Sequence, residues 1–84
     1  MSHIEQQIVI PKMGLIVEEV TIKRWLKKEG DIFKKGEPLL EVEAEKATNE
    51  IEAPFTGKLL RILVREGEVV RVGSPVAEAE ILEE

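Results

Sequence analysis

The sequence predicts an all-β fold made of two similar half-sheets packed face to face. Three observations carry this. Apolar and polar residues alternate at period two over most of the chain, as in Leu40 to Glu45 and Val20 to Lys23. No window shows a helical stripe bounded by caps. The segment Gly30–Val42 also recurs as Gly67–Ala79, an offset of 37 residues at which both glycines and the proline coincide. Two copies are too few for a solenoid, which needs about three repeats. They suit two half-sheets related by an approximate two-fold axis.

Taken in order, residues 1–6 read as a tail, 7–82 as the domain and 83–84 as its end. Gln7 to Ile10 is a short apolar strand stopped by Pro11, and 11–16, containing Gly14, is a loop. Val17 to Lys28 is the best helical candidate, but its period-two stretch decides for a strand over Val17 to Leu26. The slip at Arg24-Trp25-Leu26 marks a bulge or the strand's end. Glu29-Gly30-Asp31 and Lys35-Gly36-Glu37-Pro38 are turn signals. Beyond the central hairpin, Pro54 to Gly57 turns the chain, Lys58 to Val64 is a strand, and Arg65 to Glu68 turns it again. Val69-Val70 and Val76 to Leu82 complete the sheets. The repeated glycines supply positive-φ turns, and each repeated proline starts a strand where no ladder donor is lost.

The stretch Glu41–Pro54 is nearly a mirror of itself about Glu45-Lys46, which reads as two strands joined by a two-residue turn. Cross-strand partners then have numbers summing to 91. Leu40 faces Ile51, Val42 faces Asn49 and Ala44 faces Ala47 on an inner face with one polar intruder, Asn49. Glu43 meets Thr48 and Glu41 meets Glu50 on the outer face, where like charges opposite one another are mildly destabilising. One lysine, Lys46, stands at the tip. The repeat sets this tip against Leu82-Glu83 in one direction and Ile8-Val9 in the other, so tip and chain ends lie at opposite poles.

Charge and composition narrow the function. The 84 residues carry a net charge of −5, which argues against nucleic acid, since phosphate binding needs a basic face. Residues 39–54 hold five Glu and one Lys, a local −4 that leaves only −1 for the other 68 residues. Without cysteine, a disulfide framework, a thiolate metal site and a cysteine nucleophile are excluded. The single histidine, His3, gives a His-based triad or metal cluster almost nothing to build on. No apolar run approaches the roughly 18 residues that span a bilayer, and the N-terminus lacks the features of a signal peptide. The expectation is a soluble, monomeric domain of the cytoplasm, or of the mitochondrial matrix in a eukaryote. An exposed lysine in a turn is ordinarily just solvated, and the chain has eight lysines. An acidic platform around a lone lysine, however, points to recognition by a basic partner surface. Charged edge strands that block aggregation are the competing reading.

Several segments resemble the lipoyl domain of 2-oxo acid dehydrogenase complexes, most often part of a dihydrolipoamide acyltransferase. They are Ile10-Pro11-Lys12-Met13-Gly14, Trp25–Asp31, Lys35–Val42, Glu45-Lys46-Ala47-Thr48, Ile51-Glu52-Ala53-Pro54, Gly57 and Glu66-Gly67-Glu68. The resemblance runs from about residue 7 to 82. It implies a flattened β-barrel of two sheets, a barrel-sandwich hybrid, with lipoic acid in amide linkage to Lys46 and no catalytic residue. It also implies four protein partners: a lipoate ligase or lipoyl transferase, a thiamin-diphosphate decarboxylase, an acyltransferase core and dihydrolipoamide dehydrogenase. The arm would carry acyl groups and reducing equivalents among the last three, the cofactor supplying the chemistry and the protein its position. By the same analogy the loop 11–16, with Gly14, takes part in partner recognition. Glu41, Glu43, Glu45, Ala47 and Glu50 are the candidates for that role on the hairpin. Two departures stand out: the tip is Glu45-Lys46-Ala47 where the family most often has Asp-Lys-Ala, and Val20 stands where it often has Gly. The alternatives are the sister biotinyl domain, whose tip resembles Met-Lys-Met, and an unmodified structural module of the same fold.

Overall fold

The computed structural model describes residues 4–13 and 17–82. Eight strands follow one another: β1 (Ile4–Val9), β2 (Glu19–Trp25), β3 (Ile32–Phe33), β4 (Pro38–Ala44), β5 (Ala47–Glu52), β6 (Gly57–Ile62), β7 (Val69–Arg71) and β8 (Pro75–Ile81). They form two four-stranded antiparallel sheets, ordered β1-β8-β6-β3 and β5-β4-β2-β7, with no helix among the described residues. The two sheets remain separate, so the fold is a flattened sandwich.

The alternating pattern buries one face of each sheet. Ile8, Leu59, Val76, Ala77 and Ala79 from the first meet Val20, Ile22, Leu40, Val42 and Ile51 from the second, with Phe33 and Leu39 beside them. Fully burying one such large aliphatic side chain contributes about 1.5–3 kcal/mol. No polar or charged side chain is buried among the described residues.

The internal two-fold extends to single hydrogen bonds. Leu26 N–H donates to Leu39 O at 2.8 Å, and 37 residues on Leu63 N–H donates to Val76 O at 2.9 Å. Gly30 N–H reaches Leu59 O, and its counterpart Gly67 N–H reaches Ile22 O. The glutamates of the two turns pin the halves together reciprocally. Glu29 accepts from Ile62 N–H at 2.9 Å, and Glu66 accepts from Trp25 N–H at 3.3 Å. Gly30, Gly36, Gly67 and Gly73 all sit at φ between 90° and 95°, where a Cβ is strained.

Several strand bounds differ from expectation for local reasons. β1 begins at Ile4, ahead of the Gln7 start, because Ile4, Glu5 and Gln6 all find partners on β8. β3 was hidden between two turn signals, and its two residues are too few to alternate; its Phe33 is nevertheless fully buried. In β2 the slip is a bulge, the register shifting between Ile22 and Arg24, and β6 repeats it between Leu59 and Arg61. The 37-residue offset fails only for β1. Ile4 pairs with Ile81 as Ala47 pairs with Ala44, which makes the β1–β5 offset 43. The link from Pro11 to Glu19 is therefore six residues longer than its counterpart Pro54 to Thr56.

Candidate functional site

The β4–β5 hairpin forms in the register its sequence specifies: Leu40 opposite Ile51, Glu41 opposite Glu50, Val42 opposite Asn49, Glu43 opposite Thr48 and Ala44 opposite Ala47. Leu40, Val42, Ala44 and Ile51 are buried, which anchors the hairpin in the core along its length. Asn49 is half-buried, and its side-chain N–H donates to Ala47 O at 3.5 Å, on the strand that leaves the tip.

Glu45 and Lys46 close the turn at φ 51° and 69°. Among the described residues they are the only non-glycine positions with positive φ. Two-residue hairpin loops need this conformation because it matches strand twist, but they normally recruit Asn-Gly for it. An L residue held there is strained by about 1–2 kcal/mol. Both side chains are exposed, and Lys46 takes part in no ion pair among the described residues. The amine at the tip is thus open to solvent on a rigid backbone.

The neighbouring carboxylates divide into two groups. Glu41 lies between Glu50 on β5 and Arg24 on β2, and Arg24 Nη2 approaches its Oε2 at 3.4 Å. The clash expected between Glu41 and Glu50 is thereby relieved from the other side. Glu43 has Thr48 and Thr21 as register neighbours, so no cation stands across from it on either strand. Glu45 and Glu50 are exposed. Of the loop expected beside the tip, Pro11, Lys12 and Met13 are described, and Gly14, Leu15 and Ile16 lie outside the described residues. Both ends of the loop lie at the tip pole: Ile10 O accepts from Gly73 N–H at 2.8 Å and Glu18 O from Val72 N–H at 2.9 Å.

The chain leaves the fold at the other end. Leu82 N–H donates to Thr56 O, and Thr56 Oγ1 accepts from Lys35 N–H, beside the turn that starts β4. Seven residues of β4 separate that turn from the tip, about 20 Å at roughly 3.3 Å per residue.

Comparison with known proteins agrees with this arrangement. Residues 6–79 match the family described as "Biotin-requiring enzyme", the biotin/lipoyl attachment family, and the chain belongs to it. Over 72 residues it is 43% identical to the dihydrolipoyllysine-residue succinyltransferase component of the 2-oxoglutarate dehydrogenase complex of Rickettsia conorii, covering 86% of this chain and 18% of that one. Over 70 residues it is 40% identical to the dihydrolipoyllysine-residue acetyltransferase component of the acetoin cleaving system of Pseudomonas putida, covering 83% and 19%. The chain therefore spans under a fifth of the length of these relatives, and what it shares with them is the non-catalytic carrier domain. A solved single-chain, multi-domain long-chain acyl-CoA carboxylase shares the fold at a TM-score of 0.71 and 24% identity, over 95% of this chain and 7% of that one.

Proposed function

We propose that Lys46 is the attachment point of a lipoyl group and that the domain presents this arm to the enzymes of a 2-oxo acid dehydrogenase complex. The observation that carries the reading is a solvent-open lysine held at positive φ at the tip of a core-anchored hairpin, in a chain 40–43% identical to dihydrolipoyllysine acyltransferase components. An amide at Nζ suits this position, since burial and ion pairing leave the amine untouched. When bound, the group supplies a dithiolane able to take up an acyl unit and two electrons.

The protein's part is placement. The buried face of β4 and β5 holds the tip stiff, the turn aims the Lys46 stem outward, and Ala44 and Ala47 keep the flanks of the turn small. The polar separation of tip and chain end lets a tether leave without obstructing the lysine. Tethering raises the effective concentration of the tip at each enzyme it serves. Those enzymes are a lipoate ligase or transferase for loading, a thiamin-diphosphate decarboxylase, an acyltransferase core and dihydrolipoamide dehydrogenase. Glu41, Glu43, Glu45, Ala47, Glu50 and the Gly14 loop are the recognition candidates around the tip. The domain acts as a monomer, in the cytoplasm or in the mitochondrial matrix of a eukaryote.

Intact-mass analysis of the protein made in lipoate-replete cells tests the reading. A lipoyl adduct that disappears in Lys46→Arg supports it. A biotinyl adduct would move the protein to the carboxylase carriers, and an unmodified mass under both supplements would leave a structural module.

A further inference from the structure

At the pole away from Lys46 lies an open cleft of about 530 Å³, lined by Lys34, Lys35, Pro54, Phe55, Thr56 and Leu82. Among the described residues its lining holds two cations and no carboxylate. The nearest acid in the same turn is Glu37, which is already engaged by Lys34 N–H at 2.9 Å and by Lys27 Nζ at 3.5 Å. Phe55, half-buried against Phe33 with ring centroids 5.9 Å apart, gives the cleft an apolar wall beside Pro54 and Leu82.

The internal two-fold explains why this cleft is open. Lys35 and Gly36 correspond to Val72 and Gly73 at the tip pole. There Ile10 O and Glu18 O, on either side of the long link, accept from Gly73 and Val72 N–H, and Met13 and Val17 pack against the core. At the lysine-rich pole the link is six residues shorter. Lys35 N–H meets the Thr56 hydroxyl in place of a loop carbonyl, and among the described residues nothing equivalent to Met13 and Val17 lies against the wall.

We infer that the Lys34–Lys35–Phe55 cleft is a docking site for an acidic polypeptide segment with an apolar anchor. At the equivalent place in the other half Met13, Val17 and the Glu18 carbonyl stand against the turn, which sets a polypeptide as the class of occupant, and the paired lysines set its charge. Docking at this pole leaves the Lys46 tip free, so an occupant could hold the domain while the arm works. This goes beyond the carrier reading and does not require it.

The test uses the whole 84-residue chain and, as probe, an eight-residue peptide with the sequence of residues 11–18 carrying glutamate in place of Lys12. Backbone amide shifts should change saturably at Lys35, Phe55 and Thr56, with the tip amides unmoved. Lys34→Glu with Lys35→Glu should weaken binding about tenfold, as the loss of two rim charge pairs implies. The same variant should be lipoylated at Lys46 at the wild-type rate, which separates this inference from the proposed function. Shifts elsewhere, or affinity unchanged in the double variant, overturn it. So do equal shifts from inorganic phosphate at matched ionic strength, which would mark a simple anion site. Binding seen only after Glu83→Gln with Glu84→Gln would also overturn it, since the occupant would then be this chain's own end.

Discussion

Replacing Glu45-Lys46 by Asn-Gly should make the domain more stable while removing the proposed attachment lysine. Both residues sit at positive φ, 51° and 69°, where a Cβ approaches the following carbonyl. Gly is at home in this region and Asn only tolerates it, so Gly relieves about 1–2 kcal/mol of strain and Asn about half as much. Glycine gives back about 0.5–1 kcal/mol through its extra freedom in the unfolded chain. The net expectation is a gain of about 1–2 kcal/mol. For a domain of this size that is a rise in Tm of about 5–15 °C. Urea unfolding followed by circular dichroism gives the gain at constant slope, and Glu45→Asn alone, with Lys46 kept, should show about half of it. As a control, Gly36→Ala, forced to φ 92°, should lose stability by a comparable amount. A double variant no more stable than the parent, with the control destabilised as stated, would refute the idea that the lysine occupies a strained turn.

Other consequences can be measured on the same samples. A Cβ at position 57 would collide with the carbonyl of Glu80 and press on Phe55 and Phe33, so Gly57→Ala should cost about 1–3 kcal/mol in chemical denaturation. Trp25→Phe removes the 3.1 Å bond from its indole N–H to Val64 O and should cost about 1 kcal/mol. Arg24→Gln breaks an exposed ion pair and should change stability by under about 1 kcal/mol. The Glu37 carboxyl is held below its ordinary value of 4.5, chiefly by the Lys34 N–H and further by Lys27, against the opposing effect of burial. Its stabilising contribution is therefore present above pH 4.5 and fades as pH falls through the lowered folded value. Tm of the parent should then exceed that of Glu37→Gln at pH 7, the gap closing toward pH 3.

The hairpin was legible because its burial pattern, turn length and register all derive from one local rule. With a two-residue turn fixed, period two decides which side chains enter the core, and a slip would have exposed Val42 and Leu40 together. The conformation of Glu45 and Lys46 was not legible, since neither residue type advertises positive φ. Nor was the partner of Glu41. A reader of the sequence sees Glu50 across the hairpin, whereas Arg24 reaches Glu41 only because the β2 bulge resets the register on the other side. The Glu29 and Glu66 clasps were hidden for a similar reason. Each joins groups more than thirty residues apart, and within its own turn each looks like ordinary charged punctuation.

The internal two-fold supplies a control that sequence alone could not. Arg24–Glu41 at 3.4 Å recurs as Arg61–Glu78 at 3.7 Å in the half that has no tip lysine. That pair therefore belongs to the architecture, whatever else Glu41 does. Glu43 corresponds to Glu80, but Glu80 has Lys58 opposite it in register where Glu43 has Thr21. Glu50 and Glu52 correspond to Gln7 and Val9 on the other edge strand. If edge protection alone required these acids, β1 would need them as much as β5, since both end a sheet. It carries Gln7 and an exposed Val9 in their place. The acidity gathered on the hairpin thus arises where the halves differ, at the strand beside Lys46 and at the missing cation across from Glu43. A shared framework holds Lys46, and the departures from symmetry give that lysine its electrostatic surroundings.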